Sequence, residues 1–584
     1  MREDRKWVIL GLFFFVAIVF LGKLFALQVL DSTYKQAADN NAFKRIIIYP
    51  HRGMVYDRTG KLLIYNTPVY DLLVTPSKVS IKDTTAFCNL LGISKEYFIK
   101  TMQQAMRYSM NVPSDFLRQI SHVDFAKIQD KLIDYTGFDI VTRTIRAYPH
   151  QSLANTLGYI GEIDSVRLKK DSEKYYQRGD YIGISGLEQV YEKELRGRKG
   201  VKYVMVDAKG REKGSFRNGQ YDTLSIAGKD LISSIDLELQ QYGEYLMQNK
   251  VGSIVAIEPA TGEILAIVSS PSYDPNLLTG ANFAKNYSPL VSDKRKPLFN
   301  RAIMSTDPPG SVFKVVQALV GLQERVIVPE SRFFCNWSLV KCHGHPSPLD
   351  VRGSLQYSCN PYYYNVFRRI VYQNILNDSL QTAPDQEEAI GFEKWRNYML
   401  KFGLGDKLGV DIANEKGGRI PKTSLYDKRY GKGKWKYSNI YSLAIGQGEI
   451  GVTPLQMANI ACIIANRGWY RIPHVIKKLD KEDCLPQYRK KIYTDISPKH
   501  FEVIIDGMEW AVKAGTVASY AIAPDLNICG KTGTVQNPRG EDHSVFIAFA
   551  PKENPKIAIA VYVENAGFGG VWAAPIATLM IEKY

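Results

Sequence analysis

Pro308-Pro309-Gly310-Ser311-Val312-Phe313-Lys314 puts a serine and a lysine three positions apart, directly behind a Pro-Pro-Gly break. The doubled proline disfavours helix before it, and Val315, Val316, Ala318 and Leu319 carry helix-periodic apolar text after it. Ser311 is therefore expected at a helix start, with Lys314 one turn on and on the same face. An amine at that spacing reaches the hydroxyl. Desolvation would lower its proton affinity enough for it to act as a base toward Ser311. The helix amino terminus also favours the negative charge that develops in acyl transfer. Alone, Ser-x-x-Lys is a frequent coincidence, and serine is a common helix cap.

Two further motifs follow along the chain. Ser358-Cys359-Asn360 sets a hydroxyl and an amide two residues apart, able to face one cleft, the first relaying a proton and the second orienting substrate carbonyls. Lys531-Thr532-Gly533-Thr534 reads as a strand entered through Gly530. Glycine there permits close backbone approach, and Lys531 with the Thr532 and Thr534 hydroxyls suits a carboxylate. The amides of Thr534 and Ser311 could form an oxyanion hole. Each motif alone is matched by a structural reading: a turn or cap for Ser358 to Asn360, and a solvated lysine for Lys531. Their order and their strand-or-helix context carry the weight.

That context is α+β. Gly252 to Pro259 and Gly262 to Val268 read as two strands joined by a Pro-Ala-Thr-Gly turn. Helical text follows to about Arg467, and strands return over 526–534, 544–550 and 557–563. A sheet drawn from both ends of a domain, with helices between, is expected, beginning near residues 240–250. Earlier, short strands are expected around Ile46 to Tyr49, Tyr56 and Leu62 to Tyr65, with Asp57 to Gly60 as a turn. Residues 80–135 show helical periodicity that includes Phe98, Met102, Met106 and Phe116.

The three motifs together form a set known from penicillin-binding proteins and β-lactamases. The chain resembles the class B penicillin-binding proteins, and within them the elongation-type penicillin-binding protein 2 branch. Further text supports this: Ser269 to Asn276, Gly446-Gln447-Gly448, Thr453 to Gln456, Asp542-His543, and in the amino-terminal half Arg52-Gly53, Asp57-Arg58, Tyr148-Pro149 and Gly186-Leu187-Glu188. The resemblance implies a tail (1–6), a transmembrane helix (7–30), a mixed β-rich pedestal similar to dimerisation domains (31–245) and a serine β-lactamase-like transpeptidase domain (246–584). It implies that Ser311 attacks the penultimate D-Ala carbonyl of a peptidoglycan stem peptide ending in D-Ala-D-Ala, that β-lactams mimic this end, and that no cofactor is required. No glycosyltransferase-like segment stands before residue 240, so a separate glycan polymerase, of the SEDS class, and elongation-complex scaffold proteins are implied as partners.

The amino terminus agrees. Trp7 to Gly22 is uncharged and apolar, Lys23 interrupts, and Leu24 to Leu30 continues the trend. About 24 residues at ~1.5 Å each span roughly 36 Å, enough for a bilayer. No small-x-small cleavage site follows, which favours an uncleaved anchor in membrane lipid over a signal peptide. Flanking positive charges are nearly balanced, so orientation, with the catalytic domain outside the cytoplasmic membrane, comes from the resemblance.

The 584 residues, 45% hydrophobic and 23% charged, describe an ordinary globular chain of several domains. A net charge of +16 without zinc-finger spacing, RNP-like strand or basic helix gives no support to nucleic-acid binding. Seven cysteines are too few for a disulfide framework. Cys88, Cys462, Cys484 and Cys529 read as buried thiols. Cys335, Cys342, His343, His345 and Cys359 cluster around the second motif, where they could hold a structural zinc ion, form a Cys335–Cys342 disulfide, or stay reduced. The rival functions are a DD-carboxypeptidase or β-lactamase on the same fold, and a non-catalytic membrane scaffold.

Overall fold

A computed structural model describes residues 3–25, 43–206, 212–373, 387–520 and 524–584. Helix α1, Glu3–Phe25, contains the one stretch among the described residues, Lys6–Phe25, long and apolar enough to cross a membrane. Its apolar side chains are exposed along their length, as a lipid-facing helix requires. Residues 26–30 of the expected anchor, and most of the linker after it, lie outside the described residues.

The described chain falls into two compact units, Met1–Gly53 with Arg196–Gly228, and Met54–Leu195 with Lys229–Tyr584. In the first, strand β1 (Phe43–Ile48) pairs antiparallel with β6 (Gly200–Val206), which pairs with β7 (Glu212–Ser215). Phe43 packs edge-on against Tyr203 and tilts onto Phe216, the kind of cross-strand aromatic contact that stabilises a small sheet.

The second unit begins with β2 (Val55–Tyr56), β3 (Leu62–Val74), helices α2 (Thr84–Leu91) and α3 (Lys95–Tyr108), β4 (Ser114–Ser121), α4 (His122–Leu132) and β5 (Phe138–Ala147). Each helix starts on a side-chain cap: Asp83, Ser94 and Ser121 accept from amides of the first turn. The expected Asp57–Gly60 turn is present, with Gly60 at φ +91° and donating to the Asp57 carbonyl. Phe116, expected in a helix, lies on β4; its ring packs on Phe87 and Phe138 with centroids at 6.0 and 5.1 Å. The helix itself ends at Tyr108, where Ser109 is extended, and Pro113 stands between that end and β4. Met106 is exposed and contributes nothing to that core. Strand β8 (Leu231–Ser233) pairs in parallel with β2 and antiparallel with β11 (Ile476–Leu479), which in turn pairs with β12 (Glu482–Asp483). Pedestal and carboxy-terminal text thus share one sheet.

Helix α5 (Leu237–Leu246) precedes the central sheet and packs on β10 (Ile264–Ser270). The central sheet runs β10, β9 (Gly252–Ile257), β15 (Ile557–Val563), β14 (His543–Ala550), β13 (Cys529–Val535), all antiparallel. Every residue of β9, β10 and β15 is buried. Alternation sorts them: Ile254, Ala256 and Val268 join one core, Val255, Ile257 and Ile267 the other. One face is covered by α5 and α10 (Ala573–Lys583). Helix α9 (Pro454–Ala465), buried on every side, lies on the other. Its start carries a capping box between Thr453 and Gln456 with Pro454 in the first turn. Strand β13 lies at the sheet edge.

Candidate active site

Ser311 lies in a 3-10 turn, Gly310–Phe313, and the α-helix proper, α6 (Lys314–Gln323), starts at the lysine. The serine therefore precedes the helix instead of opening it. Three glycines let this turn come close to its neighbours. Gly310 has φ +59°, its amide donates to the Gly446 carbonyl at 2.9 Å, and a Cβ on it would lie 2.7 Å from the Thr534 carbonyl oxygen. A Cβ on Gly533 would meet Val312 at 2.9 Å and one on Gly446 would meet the Gly310 carbonyl at 2.2 Å. Side chains at these positions would push the serine turn away from β13.

Lys314 is fully buried. Its Nζ donates to the Ser358 carbonyl at 2.7 Å, to Ser358 Oγ at 3.1 Å and to Asn360 Oδ1 at 2.6 Å, and lies 5.7 Å from the Tyr363 ring centroid. Burial pushes this ammonium down to about 8, opposed by the charge of the Cys342, Cys359 and Cys335 thiols. The second motif lies between α7 (Val351–Gln356) and α8 (Asn360–Val371). Ser358 there takes φ +54°, a conformation a side chain seldom adopts, which turns both its carbonyl and its hydroxyl toward Lys314. Asn360 is held from behind: its Nδ2 donates to the Lys341 carbonyl at 2.7 Å and its backbone amide to Cys342 Sγ at 3.4 Å. With Nδ2 so engaged, only Oδ1 can face the lysine.

On β13, Lys531 is buried, its Nζ donating to the Thr532 carbonyl at 3.1 Å. Burial, and then the charge of Lys314, push its ammonium well below the usual lysine range. An anion arriving beside these two buried amines would favour their charged forms. Thr532 Oγ1 donates to Thr516 Oγ1 at 3.0 Å, and the Gly569 amide donates to Thr534 Oγ1 at 3.2 Å. Gln447 Nε2 donates to the Thr534 carbonyl at 3.1 Å. Ser311, Lys314, Ser358, Asn360 and Lys531 to Thr534 are thus brought together from four separate elements.

Beside them, the ligand atoms of Cys335, Cys342, His345 and Cys359 lie within 4.8 Å of one another. All seven cysteines are free thiols; Cys88, Cys462 and Cys529 are buried as expected, whereas Cys484 is half-buried. His343 stays outside the group: it is exposed, with Nδ1 3.9 Å from Cys342 Sγ, whereas His345 is half-buried beside the thiols. His345 receives its orientation from Nδ1 against the Pro346 carbonyl at 2.7 Å, which aims Nε2 at Cys342 Sγ, 3.5 Å away. Hydrogen bonding from the Cys359 thiol, reinforced by His343, the Asn360 amide and His345, holds the Cys342 thiol far below its usual range. The Cys359 thiol is pushed up correspondingly. Three sulfurs and one imidazole nitrogen are donor types that could hold a metal ion, and tetrahedral structural zinc sites use such sets.

Thr516 and Lys341 were not legible in the sequence as site residues, because a hydroxyl after a helix and a main-chain carbonyl leave no motif. Gln447 was visible only as part of a Gly-Gln-Gly resemblance. His543 opens β14 opposite Val535 and accepts from the Asn565 amide at 2.9 Å, a structural placement.

Residues 252–582 match the family described as penicillin binding protein transpeptidase domain, and residues 47–233 match the penicillin-binding protein dimerisation domain. The chain belongs to the penicillin-binding protein transpeptidases. Among individual relatives, the peptidoglycan D,D-transpeptidase MrdA of Acinetobacter baumannii is 30% identical over 612 residues, covering 97% of this chain and 85% of that protein. MrdA of Haemophilus influenzae is 29% identical over 617 residues, covering 98% and 90%. The crystal structure of Pseudomonas aeruginosa PBP2 in complex with WCK 5153 is similar at TM-score 0.66 and 27% identity, over 92% of this chain and 96% of that one. The complex of PBP2 and MreC from Helicobacter pylori, at TM-score 0.73 and 24% identity over 93% and 98%, shares the fold.

Proposed function

We propose that this protein is a membrane-anchored peptidoglycan D,D-transpeptidase of cell-wall elongation, and a target of β-lactams, working through an acyl-Ser311 intermediate. The observation that carries the site assignment is the buried Lys314 amine, one turn from Ser311 and within hydrogen-bond distance of both Ser358 Oγ and Asn360 Oδ1. In its neutral form Lys314 takes the Ser311 proton as Oγ attacks the carbonyl carbon of the penultimate D-Ala. The amides of Ser311 and Thr534 receive the negative charge on the carbonyl oxygen. Lys531, with the Thr532 and Thr534 hydroxyls, holds the terminal carboxylate, and the stem peptide adds alongside the open edge of β13. Collapse breaks the peptide bond. Ser358, hydrogen-bonded to the Lys314 ammonium, relays the proton to the departing D-Ala amine. The amine of a second stem peptide then attacks the ester carbonyl, gives up its proton along the same route, and frees Ser311.

In this reading α1 anchors the chain in the cytoplasmic membrane, and the family resemblance supports an extracytoplasmic catalytic half. A SEDS-class glycan polymerase and an elongation-complex scaffold are the partners, supported by relatives that include a PBP2 determined with MreC. Fluorescent penicillin labelling of the purified protein beside Ser311→Ala tests the assignment. Stable labelling lost in the variant is expected; equal labelling of both would refute the nucleophile.

Cys335, Cys342, His345 and Cys359 are the ligands of a structural zinc ion in the same reading, and their donor types support it. Bound there, the ion would hold the 335–347 loop against the second motif. About one zinc per chain is expected by elemental analysis. Wild type and Cys359→Ser carrying equal zinc would exclude this set.

A further inference from the structure

The three thiols stand where a change in their bonding is transmitted to Asn360. Cys335 and Cys342 are half-exposed, whereas Cys359 is buried inside the Ser358–Asn360 motif. All three sulfurs lie within 4.8 Å of one another. Cys335 is tied to the base of its loop, where its amide donates to Ser347 Oγ at 2.9 Å and where Phe333 and Leu349 bridge as a short antiparallel pair. Cys342 lies further out on the same loop, next to Lys341, whose carbonyl holds the Asn360 side chain. Two contacts therefore connect this part of the loop to Asn360: the Lys341 carbonyl to Nδ2, and Cys342 Sγ to the backbone amide.

We infer that Cys335 and Cys342 form a reversible disulfide latch that disengages Asn360 from Lys314 and so switches off acylation at Ser311. The inference rests on the transpeptidase reading for its consequence, but not for the bond itself. The chemistry is thiol–disulfide exchange with a small or protein disulfide, the class of oxidant found outside the cytoplasm. Cys342 Sγ, on which the Asn360 amide and the His345 imidazole converge, attacks one sulfur of the oxidant and expels the other as a thiol. Cys335 Sγ then attacks the mixed disulfide and expels the second thiol. The pair loses two electrons and two protons, and the oxidant is reduced to two thiols. With zinc held in the cluster the same two electrons leave, and the ion is released.

Closure brings the two sulfurs to about 2.05 Å. Closure redirects Cys342 Sγ from the Asn360 amide to Cys335 Sγ, and a shift of the Cys342 backbone would carry the neighbouring Lys341 carbonyl with it. Asn360 then loses both contacts from behind. Its amide group is free to rotate away from Lys314, which surrenders one of three acceptors at the base. Loss of a hydrogen bond to a charged group predicts acylation slower by about tenfold or more.

The test uses the full chain in detergent, equilibrated in glutathione buffers from reducing to oxidising. Three quantities are read: the fluorescent-penicillin acylation rate, the free thiol count, and the disulfide map from proteolytic peptides. The latch predicts a 335–342 disulfide in oxidising buffer, acylation slower by about tenfold or more, and full recovery with dithiothreitol. Cys335→Ser removes the resolving thiol while keeping Cys342 beside Asn360. Whatever basal rate it has with one thiol of the cluster removed, that rate should be the same in reducing and in oxidising buffer. The wild-type redox cycle needs no variant, so a poorly folded Cys335→Ser would leave the test intact. A mapped 335–342 disulfide with an unchanged acylation rate would overturn the switch, as would an oxidised protein with no bond between these two residues. If the reduced wild type never labels, the transpeptidase reading fails instead, while the thiol map still reports on the bond.

Discussion

Gly310→Ala sets backbone strain and catalytic geometry apart. Gly310 has φ +59°, and an alanine Cβ there would lie 2.7 Å from the Thr534 carbonyl oxygen, a main-chain atom of the edge strand. The left-handed conformation alone costs a non-glycine residue about 1–2 kcal/mol. Contact at ordinary van der Waals distance requires the serine turn and β13 to separate by about 0.7 Å, taking ~3.4 Å as that distance. Thr534 N and Ser311 N are the two amides assigned to the oxyanion, so this separation widens the hole directly. A displacement approaching 1 Å at a reacting centre costs up to about 100-fold in rate. We expect Gly310→Ala to slow acylation by a fluorescent penicillin by about 10- to 100-fold. Gly60→Ala is the matched control: Gly60 has φ +91° but open space around its missing Cβ, so it carries the strain without the collision. Stopped-flow acylation and thermal unfolding would be measured on both variants. The reasoning fails if Gly310→Ala acylates at the wild-type rate, or if Gly60→Ala slows acylation equally.

Acylation should rise about tenfold per pH unit up to about pH 8 and level off above it, because burial lowers the Lys314 ammonium to about 8 and only the neutral amine accepts the Ser311 proton. A rate independent of pH between about 6 and 9 would remove Lys314 as the base. In the pedestal, Arg146 Nε and Glu188 Oε1 pair at 2.6 Å with side-chain exposures of 1% and 0%. Glu188→Ala leaves a buried guanidinium short of its counter-charge and should cost about 3–5 kcal/mol, while Arg146→Met with Glu188→Leu recovers part of that loss. Calorimetry showing Glu188→Ala melting with the wild type would dispose of this.

The class of fold and a candidate set of site residues were readable in the sequence. Ile557 to Val563 and Gly252 to Ile257 are apolar at nearly every position because their sheet is covered on both faces, and that continuity is visible in one dimension. Ser311, Lys314, Ser358, Asn360 and Lys531 were legible because their spacing along a turn or strand is local. The Asp57–Gly60 turn was legible for the same reason. Phe116 was misassigned because an apolar residue at helical spacing looks the same on either side of a proline, and only the packing of Phe87 against Phe138 required a strand there. Whatever depends on contacts between distant segments was decided by the tertiary structure alone. Parallel pairing of β2 with β8 draws the pedestal into a sheet with residues 476–483, although their sequence separation gives no pattern. The choice of His345 over His343 for the thiol cluster depends on which imidazole a loop turns inward, and spacing alone does not distinguish neighbours two residues apart. The orientation of Asn360 depends on a main-chain carbonyl at Lys341, and every residue carries such a group, so only the folded chain selects the one that acts.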